Sequence, residues 1–247
     1  MRKLKVLVAC EESQEVCKAF RELGHIAFSC DLQECSGGHP EWHIQGNVLN
    51  FLEPYDTGSE YAMTFYTQNG ARHEWCARWY RDAWWDLIIA HPPCTYMSAA
   101  GACRMYPTAG HIDENRFAKA IEAKEFFMRF LSVDCKRICI ENPRPLKIVG
   151  LPKETQQIQP YQFGEPWSKL TYLWLKGLPN LIPTEVLSEH NPFLPSGTGR
   201  KLRGASYGAK GCGHDGKARS KTFPGIARAM AEQWSAYILN EDGDNNG

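Results

Sequence analysis

This sequence has no excess of charge of either sign. Its 28 lysines and arginines are balanced by 28 aspartates and glutamates, so the 247-residue chain as a whole is not a polycation built to coat nucleic acid. It has no apolar run of the roughly 18 residues that a membrane-spanning helix needs. The stretch Met1 to Ala9 is too short in apolar residues for a secretory leader and carries no cleavage signature. A cytoplasmic location is therefore the expectation. The 10 cysteines include no Cys-x-x-Cys pair and no regular spacing, which argues for reduced thiols and against a disulfide framework. There is no internal repeat. Also missing is a glycine-rich turn after the first apolar run, which disfavours a dinucleotide-dependent oxidoreductase.

What is present alternates. Leu4 to Cys10 reads as a strand, Ser13 to Leu23 as a helix with Val16, Ala19, Phe20 and Leu23 on one face, and Gly24 as its C′ residue. Ile26 to Cys30 is a second strand ending at Asp31, and Val48 to Leu52 a third, weaker one. Residues 53–85 form an aromatic-rich insertion whose rings are read first as packing and second as a base-stacking surface. Asp86 to Ala90 is the fourth strand. A helix is expected over 114–132 with Phe117, Ala120, Ile121, Phe127, Met128 and Leu131 in one stripe. Arg137 to Ile140 is the fifth strand, with two more near Gln157–Phe163 and Thr171–Leu175. Residues 179–222 are rich in Pro and Gly, and a last helix starts at Pro224 with Ile226, Met230, Trp234 and Ile238 inward. Residues 241–247 read as a disordered tail. This order predicts an α/β protein with a mostly parallel, doubly wound sheet. Residues 1–178 and 223–240 would form the main domain, and 179–222 a short substrate-recognition region.

The informative stretch is Asp86-Leu-Ile-Ile-Ala-His-Pro-Pro-Cys-Thr-Tyr96. A buried strand stops at two prolines and presents Cys94 just beyond its carboxyl end, where open α/β sheets bind ligands. A single cysteine is most often a small buried hydrophobe. Cys94 differs because Pro92 and Pro93 fix its place, and a thiolate is a strong nucleophile. Glu141 ends the fifth strand and can approach Cys94 across one rim, where it could hold or protonate a substrate ring nitrogen. Asp31, after the second strand, is by itself most simply a loop cap, although that position also suits a ribose.

These residues carry a resemblance. His91-Pro-Pro-Cys94 resembles the Pro-Cys motif of cytosine-5 DNA methyltransferases, and Glu141-Asn-Pro143 their Glu-Asn-Val motif. Phe163 to Trp174 is similar in layout to their Gly-x-Pro-Gln-x-Arg-x-Arg strand pair, and Phe223 to Ala231 sits where their last motif would be. Nearly the full length resembles small phage-encoded cytosine methyltransferase-like proteins, which implies a bacterial host cell and a phage or prophage origin. The resemblance implies a Rossmann-like fold and transfer of a methyl group from S-adenosyl-L-methionine to cytosine carbon 5. It implies that Cys94 attacks C6 and that Glu141 contacts N3 and the exocyclic amine. It further implies that Asp31 binds the cofactor ribose, that Asn47 lies near the adenine, and that Ala9, Cys10, Glu11 and Pro92 contribute to the same site. A target inside a duplex would have to be flipped out. The family's Phe-x-Gly-x-Gly motif stands here as Ala9-Cys-Glu-Glu-Ser13. Its Gln and two Arg stand as Trp167, Lys169 and Thr171, so Lys169 alone keeps a charge near the active site.

DNA is the implied partner. Residues 199–221 hold seven Lys or Arg against one Asp, with six glycines, and could follow phosphates or simply be a solvated loop. Cys212 and His214 have no second pair at ligand spacing, so no metal is expected. Other readings keep the fold: an amino-group, RNA or free-nucleotide methyltransferase, in which Cys94 would stand where an Asp/Asn-Pro-Pro-Tyr motif has its aromatic residue. A catalytically silent DNA-binding decoy is a third.

Overall fold

The apolar run near the N-terminus forms β1 (Lys5–Ala9), fully buried from its second residue onward. The computed structural model describes residues 2–53, 55–56, 61–77, 84–191 and 220–244. Helix α1 (Glu15–Glu22) follows and buries Val16, Cys17 and Phe20. Next come β2 (Ile26–Asp31) and β3 (His43–Gln45). The insertion contributes β4 (Tyr55–Asp56), β5 (Tyr61–Tyr66) and β6 (Arg72–Ala77), which pair antiparallel as a separate three-stranded sheet. The chain then enters β7 (Leu87–Ala90), the short helix α2 (Ala102–Met105) and α3 (Glu114–Ser132). Asp113 caps α3, its carboxylate accepting from the Arg116 N–H at 2.9 Å. The remaining elements are β8 (Ile138–Pro143), β9 (Gln156–Ile158), β10 (Thr171–Lys176) and α4 (Pro224–Asp244).

The main sheet has seven strands in the order β3-β2-β1-β7-β8-β10-β9. β1 pairs parallel with β2 and β7, β7 with β8, and β2 with β3; only β10 runs against its neighbours. The order reverses at β1 and β7, which in a doubly wound sheet opens a crevice beyond the carboxyl ends of those strands. One face packs Val6, Val8, Leu87, Ile89 and Leu173 against α1 and α4, including Phe20 and Trp234. The other packs Leu7, Phe28, Ile88 and Ile140 against α3 and the small sheet. There Phe65, Trp75, Trp84 and Trp85 of the insertion join the core, while Tyr66 is exposed: Phe65 meets Phe28 edge-on at 5.0 Å, and Trp75 meets Trp85 at 4.6 Å.

Several expected elements differ. The third strand is His43–Gln45, while Val48–Phe51 forms a 3-10 turn capped by Asn47. This strand is three residues long and buries one polar residue beside Ile44, so no apolar run marks it: His43 is satisfied by Ser29 Oγ at 2.9 Å and by the Gln33 carbonyl at 2.8 Å. Leu23 is exposed, and α1 turns Cys17 inward. On α3 the buried line runs through Ala120, Phe127 and Phe130, so the expected stripe straddles its edge. The strand expected over 157–163 ends at Ile158 because Pro160 starts a 3-10 turn. Where a disordered tail was expected from 241, α4 continues through Asp244. Of the expected recognition region, residues 179–191 lie against the domain, with Leu181 buried and the Gln233 amide exchanging hydrogen bonds with Ile182. The basic stretch 199–221 lies outside the described residues except for Ser220 and Lys221.

Candidate active site

Strand β7 ends at Ala90, and the ladder is prolonged by one bond, the His91 N–H donating to the Ala9 carbonyl at 2.9 Å. Proline cannot donate, so Pro92 and Pro93 release the chain from the sheet. The released turn is held firmly. The Cys94 carbonyl accepts from the N–H groups of Met97 (3.1 Å) and Ser98 (2.9 Å). The Asn142 amide donates to the Pro92 carbonyl at 2.7 Å, and Leu146 N–H to the Met97 carbonyl at 2.7 Å. The Arg116 guanidinium lies over the Tyr96 ring at 5.1 Å. The backbone after β8 therefore clamps the loop after β7, and Cys94 sits half-buried between them.

Glu141 lies in β8 opposite Leu173 of β10. Because β10 is antiparallel, its amino end, and with it Lys169, comes to the same rim as the carboxyl end of β8. The three expected catalytic residues thus share one field. The Cys94 thiol is pushed above its ordinary value, first by burial and then by the Glu141 charge, while Lys169 draws it down. Burial alone would raise Glu141, but a hydrogen bond from His91 and the charges of Lys169 and His91 outweigh it and hold the carboxyl below its usual range. At neutral pH the resting site holds a thiol beside a carboxylate.

The bond between His91 Nδ1 and Glu141 Oε2 is 3.0 Å, with both side chains almost out of solvent, at 12% and 11% exposure. Sequence reasoning gave His91 no role, although it stands at the strand end beside the two prolines. Asn142, which clamps Pro92, was missed in the same way.

The expected cofactor residues fall on the neighbouring tips. Ala9 closes β1, flanked by Cys30 and Ala90. Cys10 turns the chain with φ 58°, a left-handed conformation that favours glycine, and its thiol is pushed up to about 12 by burial and by Asp31. Glu11 is buried and points back into its own helix, accepting from the N–H groups of Val16 (2.7 Å) and Cys17 (3.2 Å). The anion position at the α1 N-terminus is therefore filled by a carboxylate of the chain itself. The loop after β2 folds over this turn. Ser36 N–H donates to the Glu12 carbonyl at 2.7 Å, and the Gln14 amide exchanges bonds with the His39 backbone at 2.8 and 3.0 Å. Gly37 is needed there, because a Cβ would sit 2.5 Å from Gln14 Cβ and the Ser13 carbonyl. Asp31, half-buried at the tip of β2, uses Oδ1 to accept from Gln33 N–H at 2.9 Å. Asn47 is committed to capping, its Oδ1 accepting from Leu49 N–H at 3.1 Å. Pro92 is buried under the clamp.

No protein-family model matches the sequence, and none of the curated proteins does. Among solved structures, the chain is similar to the Entamoeba histolytica methyltransferase EhMeth, at 14% identity with a TM-score of 0.37 over 77% of this chain. The match covers 59% of that protein's length, so the chain spans less than two thirds of it. No helix among the described residues is long and apolar enough to cross a membrane.

Proposed function

We propose that this protein is an S-adenosyl-L-methionine-dependent methyltransferase acting on cytosine carbon 5 in DNA. The observation that carries the reading is the presentation of one thiol and one buried carboxylate, Cys94 and Glu141, from the ends of adjacent parallel strands, with the Lys169 charge acting on both. A doubly wound sheet whose order reverses beside this rim supports the same reading.

The tips of β1 and β2 fit the nucleoside part of the cofactor. Asp31 has carboxylate capacity beyond its bond to Gln33, which suits ribose hydroxyls. Glu11 already fills the α1 N-terminus, so the amino-acid end would rest on the backbone around Cys10 and not on that helix. Bound there, S-adenosyl-L-methionine would supply an electrophilic methyl group to carbon 5.

The chain's own residues do the rest. The Cys94 thiolate adds to C6, forming an S–C6 bond as the C5=C6 electron pair moves toward N3. Glu141 faces N3 and the exocyclic amine, where the negative charge develops. Lys169 favours the thiolate and offsets the carboxylate. After transfer, solvent takes the C5 proton, the C–H pair restores the C5=C6 bond, and Cys94 leaves as a thiolate. DNA binding through the basic stretch 199–221 rests on composition alone.

Incubation with 5-fluorocytosine DNA and S-adenosyl-L-methionine tests this, because fluorine cannot leave C5 as a proton does. A covalent adduct is expected, and Cys94→Ser should abolish it. Amino methylation that survives Cys94→Ser would move the reading to an amino-group methyltransferase. DNA binding with no adduct, under conditions where the cofactor is bound, would make the protein a decoy.

A further inference from the structure

The outer edge of the main sheet carries a second concavity. β3 is short and meets β2 only from Ser29 onward, so Ile26 to Phe28 have no strand on their outer side. A cavity of about 540 Å³ opens there, between α1, the start of β2 and the turn through His39 and Trp42. That volume holds a small organic ligand. None of Cys94, Glu141 and Lys169 lines it.

Its wall is rich in donors and poor in acceptors. Arg21 is held in place, Nε donating to the Ala27 carbonyl at 2.7 Å and the guanidinium lying 4.8 Å over Phe28 and 5.2 Å over Trp42. Its Nη groups have no oxygen acceptor among the described residues. His25 Nδ1 accepts from Leu4 N–H at 3.3 Å, so the neutral ring carries its proton on Nε2. That atom stays open to solvent, and it has no acceptor among the described residues. The Trp42 indole N–H and the Lys3 ammonium are unpaired there too. Lys18 reaches Glu15 at 3.3 Å, a partly exposed pair that holds it weakly. Glu22 is the one carboxylate in the wall. Glu41, whose charge also acts on Arg21, bonds His39 at 2.9 Å, and the His39 ring stacks on Trp42 at 3.8 Å. Five donor-bearing side chains, with Ile26 as apolar backing, suit a ligand that brings several acceptor oxygens and negative charge on an apolar body.

We propose that this cavity is a binding site for a phosphate group carried on an organic body, separate from the active site. Arg21, Lys3 and Lys18 meet the phosphate oxygens, His25 and Trp42 add donors, and Ile26 packs on the body. A guanidinium already fixed by its Nε suits this role, because its planar fork matches two phosphate oxygens at little further cost in entropy. The same chemistry serves two sources, a small phosphorylated molecule or a backbone phosphate of a nucleic acid that passes the sheet edge.

Calorimetric titration of the full chain with phenyl phosphate tests this, with benzyl alcohol as the uncharged control. Phenyl phosphate should bind saturably at millimolar concentration or below, and benzyl alcohol should not. The double variant Lys3→Gln/Lys18→Gln should weaken phenyl phosphate about 10-fold. Should it fail to fold, as judged by circular dichroism, Lys3→Gln alone decides, with an expected loss of about threefold. A single-stranded oligonucleotide separates the sources. A salt dependence made shallower by about 1 in the double variant assigns the phosphate to nucleic acid, and an unchanged slope beside weakened phenyl phosphate assigns it to a small molecule. Cys94→Ser should bind phenyl phosphate as the wild type does, so the outcome is independent of the covalent reading. Loss of binding in Cys94→Ser would place the ligand in the active site and overturn the proposal. No binding by the wild type, equal binding of benzyl alcohol, or affinity untouched by the lysine substitutions would overturn it as well.

Discussion

At the scale of single residues, the site is a balance of charge around one thiol. Burial and Glu141 both hold Cys94 in its protonated form, and Lys169 works against them. The signs are fixed: removing Glu141's charge should lower the thiol's pKa, and removing that of Lys169 should raise it. Glu141→Gln is therefore expected to speed iodoacetamide alkylation of Cys94 at pH 7.5, and Lys169→Met to slow it, each several-fold, read by mass spectrometry of the Cys94 peptide. Equal rates in the two variants would show that neither group acts on the sulfur. Alkylation of the exposed Cys103 or the half-buried Cys35 does not enter the reading, because only the Cys94 peptide is followed, and Cys17, Cys30 and Cys139 are buried and pushed well up. Cys94 and Glu141 were legible in the sequence because a proline pair follows β7 and Pro143 closes β8, with a chemically capable residue near each of those points. The His91–Glu141 bond was not, since it depends on the side-by-side pairing of β7 and β8, which no local pattern encodes.

At the scale of elements, the turn from β1 into α1 shows how a glycine-poor loop solves a glycine-rich problem. Cys10 takes the left-handed bend, and the Glu11 side chain satisfies amide groups that a helix start leaves unpaired. This arrangement has an electrostatic cost: burial raises the Glu11 carboxyl despite the N–H groups of Val16 and Cys17 and the charge of His91. A carboxyl raised in the fold weakens stability above that raised value, and the penalty is relieved as pH falls toward the unfolded value. Glu11→Gln keeps one acceptor oxygen and has nothing to ionise. In urea unfolding followed from pH 4 to 8, its stability relative to wild type should improve as pH rises. Glu11→Ala should fall below Glu11→Gln by about 1 kcal/mol at every pH, the usual effect of losing a helix cap. A pH-independent gap between wild type and Glu11→Gln would contradict the burial argument. Helix α3 was legible to its end residues because Asp113 caps it and its apolar positions recur with helical period. β3 was not, because a three-residue strand that buries one histidine beside one isoleucine looks like a loop until its hydrogen bonds are seen.

At the scale of the whole molecule, the doubly wound sheet separates chemistry from closure. The candidate site lies at the carboxyl ends of β1, β2, β7 and β8. The chain ends meet at the opposite edge, where Arg137, just before β8, bonds Glu241 at 3.1 Å and Asp242 at 2.8 Å, while Arg2 joins Asp242 to Asp86. This explains why residues that read as a polar tail are helical: their acids neutralise an arginine whose side chain is only 7% exposed. Burial would raise the Asp242 carboxyl, but Arg137 and Arg2 more than offset it and hold it below its ordinary range. The Tyr237 hydroxyl and then Arg137 do the same for Glu241. Carboxyls depressed in the fold stabilise it above their unfolded values, and that contribution disappears as pH falls through the folded ones. Arg137→Met, which keeps the apolar stem, should therefore lower the melting temperature at pH 7, and the difference from wild type should shrink as the solution is acidified below the ordinary carboxylate range. The alkylation rate of Cys94 should not change in the same variant, because the strands of the sheet stand between the two ends. A changed rate would mean that fastening the chain ends also sets the geometry of the rim, and that the molecule transmits strain along β8 from Arg137 to Glu141.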